Sequence, residues 1–190
     1  MKARHPFTLI ELLTVIAIIA ILVGLLLPAI GAAKQKAKIT QAKAQVKALQ
    51  LAIKQYESTY GYLPVSGAES PLGATGANSE YDKLIADLSL TNRSGNFGRT
   101  GNPRGIVFLE VQTAGVYEDP WKTSTVGAHN LRVVLNTNYD EKIVLDATNG
   151  PYADVFGQVA IWSLGPNGNN NQGKGPQQGS SNDDVNSWDN

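Results

Sequence analysis

The sequence predicts an α+β fold: one long N-terminal α-helix, a membrane half plus an amphipathic half, packed on a small antiparallel sheet. Three observations predict it. An apolar run covers Phe7 to Ile30, and no Gly or Pro interrupts the stretch that follows, from Ala32 to Tyr60. Along that stretch Ile39, Ala42, Val46, Leu49, Ile53, Tyr56 and Tyr60 recur at intervals of three and four, the stripe of an amphipathic helix. Downstream lie three short segments rich in β-branched and aromatic residues, "LRVVL", "KIVL" and "QVAIWSL", bounded by turn residues.

The apolar run comes first. Its 24 residues at ~1.5 Å rise span roughly 36 Å, enough to cross a bilayer core. A secretory signal peptide fits poorly, because the run is too long for an h-region and no A-x-A-like site follows it. A plain anchor fits the length but leaves Glu11 unexplained. A carboxylate in hydrocarbon costs several kcal/mol unless it is paired or near the interface, so Glu11 points to a function.

"HPFTLIELLTVIAIIAILVGLLLPAI" resembles the N-terminus of the type IV prepilin and pseudopilin superfamily. The resemblance implies a pilin-like fold, a cleaved leader of residues 1–6, a cut between Pro6 and Phe7, and N-methylation of Phe7. It makes Glu11 the family's glutamate and Pro28 its helix-bending proline, with Gly24 just before it. The family usually has Gly ahead of the cut; Pro6 stands there in this chain, which bears on cleavage efficiency and not on class. In filaments of this superfamily the N-terminal helices pack together. Glu11 of one copy can then pair with the new α-amino group of its neighbour, and a weak dielectric strengthens that attraction. The implied segments are leader 1–6, transmembrane and assembly helix 7–30, amphipathic continuation 31–60, and globular head 61–190.

Composition sets further bounds. The 190 residues suffice for one domain plus an anchoring segment, and Lys+Arg equals Asp+Glu at 16 each. No global field therefore points to nucleic acid. The charge is locally uneven: Lys34 to Lys54 holds six lysines and no acid, a solvated helix face or a lipid-binding patch. Counted alone, Lys34, Lys36 and Lys38 outnumber Lys2 and Arg4 and would place the C-terminal side in the cytoplasm. The resemblance implies the reverse, with the leader cytoplasmic and the head in the periplasm. The absence of cysteine excludes disulfides, thiolate zinc sites and cysteine nucleophiles.

Gly61 and Pro64 stop the long helix, and "YESTYGYLPV" resembles the helix end of the major pseudopilins. Val65 to Ser79 is a Gly, Ala and Ser rich loop. Glu80 to Leu90 forms a short helix with Leu84, Ile85 and Leu88 inward, and Asn92 to Gly105 is loop again. "GIVFLEV" is an apolar segment, strand or helix. "EDPWK" resembles a major-pseudopilin motif in which Trp121 is a packing anchor. "LRVVL" and "KIVL" are strands, Asn136 to Glu141 between them making a hairpin turn or short loop, and "QVAIWSL" is the third strand. Three antiparallel strands against the helix would bury its stripe.

The Gly/Asn-rich tail permits several readings. Gly168 with Gly173 and Lys174 mimics a phosphate loop, but Gly175 replaces the required Ser or Thr, and Pro176 with Gly179 forbids the helix that should follow. Composition alone suggests disorder. The major pseudopilins end in Ser-Leu-Gly-x-Asp-Gly, a Gly-rich loop, then Ala-Asp-Ile and a Trp, and bind Ca2+ there. The counterparts are Ser163, Leu164, Gly165, Asn167 and Gly168, then Asp184, Val185 and Trp188. The resemblance thus implies a Ca2+ set of Leu164, Asn167, Gly168, Asp183 and Asp184, Asn167 replacing an aspartate and Asp183 restoring its charge. "NTNYDE" opens like an EF-hand but lacks its later Gly and Glu, and stays a turn.

No catalytic set is present. His5 lies in the leader, and His129 stands in a Gly/Ala/Asn loop with no acid beside it in sequence. The expected function is a filament subunit and not an enzyme. Its nearest resemblance is to the major pseudopilin of the type II secretion system; a type IV major pilin or a monomeric membrane-anchored binding protein are the alternatives. The implied partners are copies of itself, prepilin peptidase, the inner-membrane assembly platform, minor pseudopilins and the membrane, with no nucleic acid.

Overall fold

A computed structural model describes residues 8–64, 80–91, 101–112, 116–121, 130–144, 154–169, 171–174 and 183–188. The expected loop over Val65 to Ser79, most of that over Asn92 to Gly105, and His129 lie outside them. The chain divides into two compact units, Met1–Ala37 and Lys38–Asn190. Helix α1, Leu9–Tyr60, belongs in part to each.

In the first unit α1 is apolar on every side and none of its large side chains is buried; Leu9 is 81% exposed and Leu25 72%. A helix that is hydrophobic all round has to find an apolar partner, lipid or protein. It is long and apolar enough to cross a membrane. The helix runs through Pro28 without a break.

In the second unit α1 turns amphipathic and buries Ala42, Val46, Leu49, Ala52, Ile53 and Tyr56, the expected stripe with Ala52 added. The helix ends at Gly61, whose φ of 80° suits a residue without Cβ and whose N–H donates to Glu57 O at 2.7 Å. Helix α2, Glu80–Ser89, buries Leu84, Ile85 and Leu88 as expected.

Strands β1 (Arg132–Leu135), β4 (Val159–Ser163) and β5 (Val185–Asn186) form one antiparallel sheet with β4 central. Strands β2 (Lys142–Ile143) and β3 (Val155–Phe156) form a separate ribbon. The expected pairing of "LRVVL" with "KIVL" is therefore corrected. Val133 pairs with Ile161 and Val134 with Ala160, so β1 takes β4 as its partner, while Ile143 pairs with Val155. Asn136 to Glu141 is a turn between sheets: Asn136 Nδ2 donates to Asp140 O at 2.6 Å, and Asp140 N donates back to Asn136 Oδ1 at 3.2 Å. The third strand of the main sheet is β5 from the tail. "GIVFLEV" is neither strand nor helix. Its Phe108 and Leu109 N–H groups both donate to Leu88 O, which docks it as irregular chain on the end of α2.

Alternation along β1 and β4 sorts the core. Val133, Leu135, Val159 and Ile161 pack with the α1 and α2 residues, whereas Val134, Ala160 and Trp162 pack with Ile143, Val155 and Leu164 on the opposite face. Both faces of β4 are thus covered, and all five of its residues are buried. Trp162 is fully buried and meets Trp188 edge-on, with ring centroids 5.9 Å apart. A smaller cluster joins Ala42 of α1, Trp121 and Val185 of β5, which gives Trp121 the anchoring role expected of it. Removing a side chain of Trp121's size from such a site costs about 3–5 kcal/mol.

Candidate functional site

Two regions gather the residues to which the sequence points. The first is the start of α1. Thr8 N and Thr8 Oγ1 each donate to Glu11 Oε2 at 2.8 Å, and Glu11 N donates back to Thr8 Oγ1 at 3.3 Å. This reciprocal capping box satisfies two N–H groups that a helix start leaves without intrahelical partners. The pattern Thr-x-x-Glu before an apolar run is its signature, a local role that the intersubunit reading of Glu11 misses. The described bonds to the carboxylate fall on Oε2. Gly24 has open space where a Cβ would stand. Pro6 and Phe7 lie outside the described residues.

The second region is the tail, built by the Ser163–Lys174 turns and the segment entering β5. Gly165 has φ 64° and comes so close to the Asp183 backbone that a Cβ there would stand 2.2 Å from Asp183 O. Asp183 Oδ2 accepts from Asn167 N at 2.9 Å. Asp184 Oδ2 accepts from Asn171 N at 3.0 Å and Gly173 N at 2.8 Å, and Asp184 N donates to Lys174 O at 3.1 Å. Because neighbouring residues on an extended segment point opposite ways, the two aspartates grip different parts of the loop. The structure thus brings Asp183 to Asn167 and Gly165, but takes Asp184 to Asn171 and Gly173. Asn167 Oδ1 accepts from Asn169 N at 2.6 Å, an Asx turn.

Burial pushes the Asp184 carboxyl up to about 7, against the lowering effect of its two amide donors; nearby Asp183 and Asp119 push the same way as burial. Asp119 is a participant that the sequence reading missed, since its motif drew attention only to Trp121. Buried beside this region, it accepts from Trp121 N at 3.0 Å and from Leu164 N at 3.2 Å, tying the Trp anchor to the end of β4.

Among the described residues no group of three His, Asp or Glu side chains gathers as a metal centre. The oxygen set around Asp183 nevertheless fits a hard cation in one respect. Asp183 Oδ1 is buried and has no hydrogen-bond partner, and a buried carboxylate oxygen in that state needs a donor or a cation. Asn167 and the Leu164 and Gly168 carbonyls are of the right oxygen type to complete such a set.

Comparison with known proteins gives three findings. Residues 1–27 match the model of the prokaryotic N-terminal methylation motif. Two fimbrial proteins of Pseudomonas aeruginosa are each 35% identical over 117 residues, covering 60% of this chain and 71% of theirs. No solved structure matches the chain.

Proposed function

This chain belongs to the type IV pilin and pseudopilin superfamily, and from that premise we propose that it is the major pseudopilin of a type II secretion system. As a member of the superfamily it is a structural subunit with a membrane-anchored, self-assembling N-terminal helix, processed by prepilin peptidase, and not an enzyme. The finer reading holds that the leader faces the cytoplasm and the head the periplasm. Copies then assemble on an inner-membrane platform, with minor pseudopilins, into a short fibre that drives folded proteins outward. The observation that carries it is the tail: an Asp-Pro-Trp anchor, a Ser-Leu-Gly turn and a terminal Trp joined in one buried arrangement through Asp119, Val185 and Trp188.

The same reading places Ca2+ in the tail, held by Asp183, Asp184, Asn167 and the Leu164 and Gly168 carbonyls. The ion would neutralise the Asp184 carboxylate, whose charge burial disfavours. The buried Asp183 Oδ1 without a partner supports this.

One observation favours a second reading, a type IV major pilin that forms a surface fibre: the relatives at 35% identity are fimbrial proteins. Deletion of the gene separates the two. The pseudopilin reading expects loss of secreted folded proteins from the medium while surface fibres remain unchanged. Loss of sheared surface fibres with secretion intact would replace it with the pilin reading.

A further inference from the structure

A groove of about 600 Å3 runs along one flank of α1 in the head and reaches Asp119 at the border of the tail site. Gln41, Gln45, Glu110, Gln112, Tyr117 and Glu118 line it, and among the described residues no basic side chain does. Gln45 is fixed there from two sides. Its Nε2 donates to Glu118 O at 3.2 Å, and its backbone carbonyl accepts from Tyr117 Oη at 3.0 Å. Held in this way, Gln45 keeps its Oε1 buried with no donor. Three acidic side chains, Glu110, Glu118 and Asp119, line the same groove. The chemistry that complements such an acidic groove is a cationic donor with no acceptor of its own, which describes a lysine ammonium.

The same helix carries such donors on a different flank. Lys43, Lys47 and Lys54 follow one another at spacings of four and seven and share a face. That face lies roughly 130° around the helix axis from the one bearing Gln41, Ala44, Gln45 and Ala48. Lys47 is engaged, donating to Ser187 O at 3.1 Å. Lys43 and Lys54 are exposed. Groove and lysine face diverge on one molecule, so they do not meet within it, but two copies can bring them together. Two different, complementary patches on one molecule make a heterologous contact, which repeats along an open helical filament when the rotation does not close.

We propose that the groove seats Lys43 of a second copy of this chain, its ammonium pairing with the exposed Glu110. The inference rests on the filament reading and adds the contact that sets the lateral relation between heads.

The test uses assembled full-length protein. A carbodiimide activates a carboxylate and joins it directly, with no spacer, to an amine lying beside it. Treated wild-type filaments should yield linked dimers whose digests contain a Lys43–Glu110 peptide pair. Glu110→Lys alone and Lys43→Glu alone should each lower filament yield about tenfold, and the double reversal should restore it to near wild type. Filaments that yield no such linked pair overturn the contact and leave the filament reading standing. So do single reversals that assemble normally, or a link to Lys54 in its place. If the wild-type chain forms no filament, the filament reading fails and the contact falls with it.

Discussion

Glu11 folds back on Thr8, accepting through one oxygen from both its N–H and its hydroxyl at 2.8 Å. The carboxylate thus has two separable tasks, starting its own helix and meeting a neighbour. Thr8→Ala should loosen the first turn by about 1 kcal/mol, seen as faster amide exchange at Leu9 to Glu11 in detergent, while fibre yield changes little. Glu11→Gln keeps an acceptor for Thr8 but loses the charge. It should preserve the turn and reduce fibre yield sharply. Equal fibre yield in Glu11→Gln and wild type would remove the intersubunit role.

Processing should leave Phe7 as the first residue, carrying one methyl group on its amine. Intact-mass measurement of assembled protein should show loss of Met1 to Pro6 and gain of that methyl. Pro6→Gly should raise the processed fraction or leave it unchanged; a fibre still bearing the leader would exclude cleavage at this point.

Calcium should stabilise the head. A ligand bound only by the folded state adds about 2.7 kcal/mol at a hundredfold excess over its Kd. Thermal melts in detergent should shift upward with calcium, fall back with chelator, and stay unmoved by magnesium. Asp183→Ala and Asp184→Ala should abolish the difference, and Lys174→Ala should retain it. Identical melts with calcium and chelator would leave the tail held by its amide–carboxylate bonds alone.

A pH effect should arise away from the tail. Burial raises the Asp87 carboxyl from 3.8 to about 6, although a hydrogen bond from the Gly101 backbone lowers it. With the folded-state value above the unfolded one, the stability it contributes is fully present below pH 3.8 and is lost as pH rises through 6. Asp87→Asn should therefore melt higher than wild type at pH 7.5, by on the order of 1–2 kcal/mol after discounting for solvent screening. The gap should close by about pH 4. A gap that is constant across this range would place the effect in packing and not in ionisation.

Much of the architecture was legible because it is periodic. The α1 stripe and the inward face of α2 follow from spacing, and Gly61 ends α1 for a local conformational reason. The paired strands were not legible to the same degree. A run such as "LRVVL" declares itself a strand but not its partner, and β1 joins a strand that begins 24 residues after it ends. Strand β5 is only two residues long and has no alternation to detect. "GIVFLEV" is apolar because it covers the end of α2, a role that depends on Leu88 O and not on any local period. Of the sites, Glu11, Trp121 and Asp184 could be named from motifs. Asp119 and Gln45 could not, because their importance comes from being buried beside groups distant in sequence.

The placement of β5 also has a consequence for how the protein is made. Lys47 and Ser187, joined in the finished head, are 140 residues apart in sequence. During synthesis the lower half of α1 leaves the ribosome long before Val185 arrives to cover Ala42 and Trp121. The head is then completed late and all together, once that stretch emerges. A chain halted upstream of Val185 would present an uncovered β4 edge and a bare Trp121, features that mark it for proteolysis before it can join a fibre.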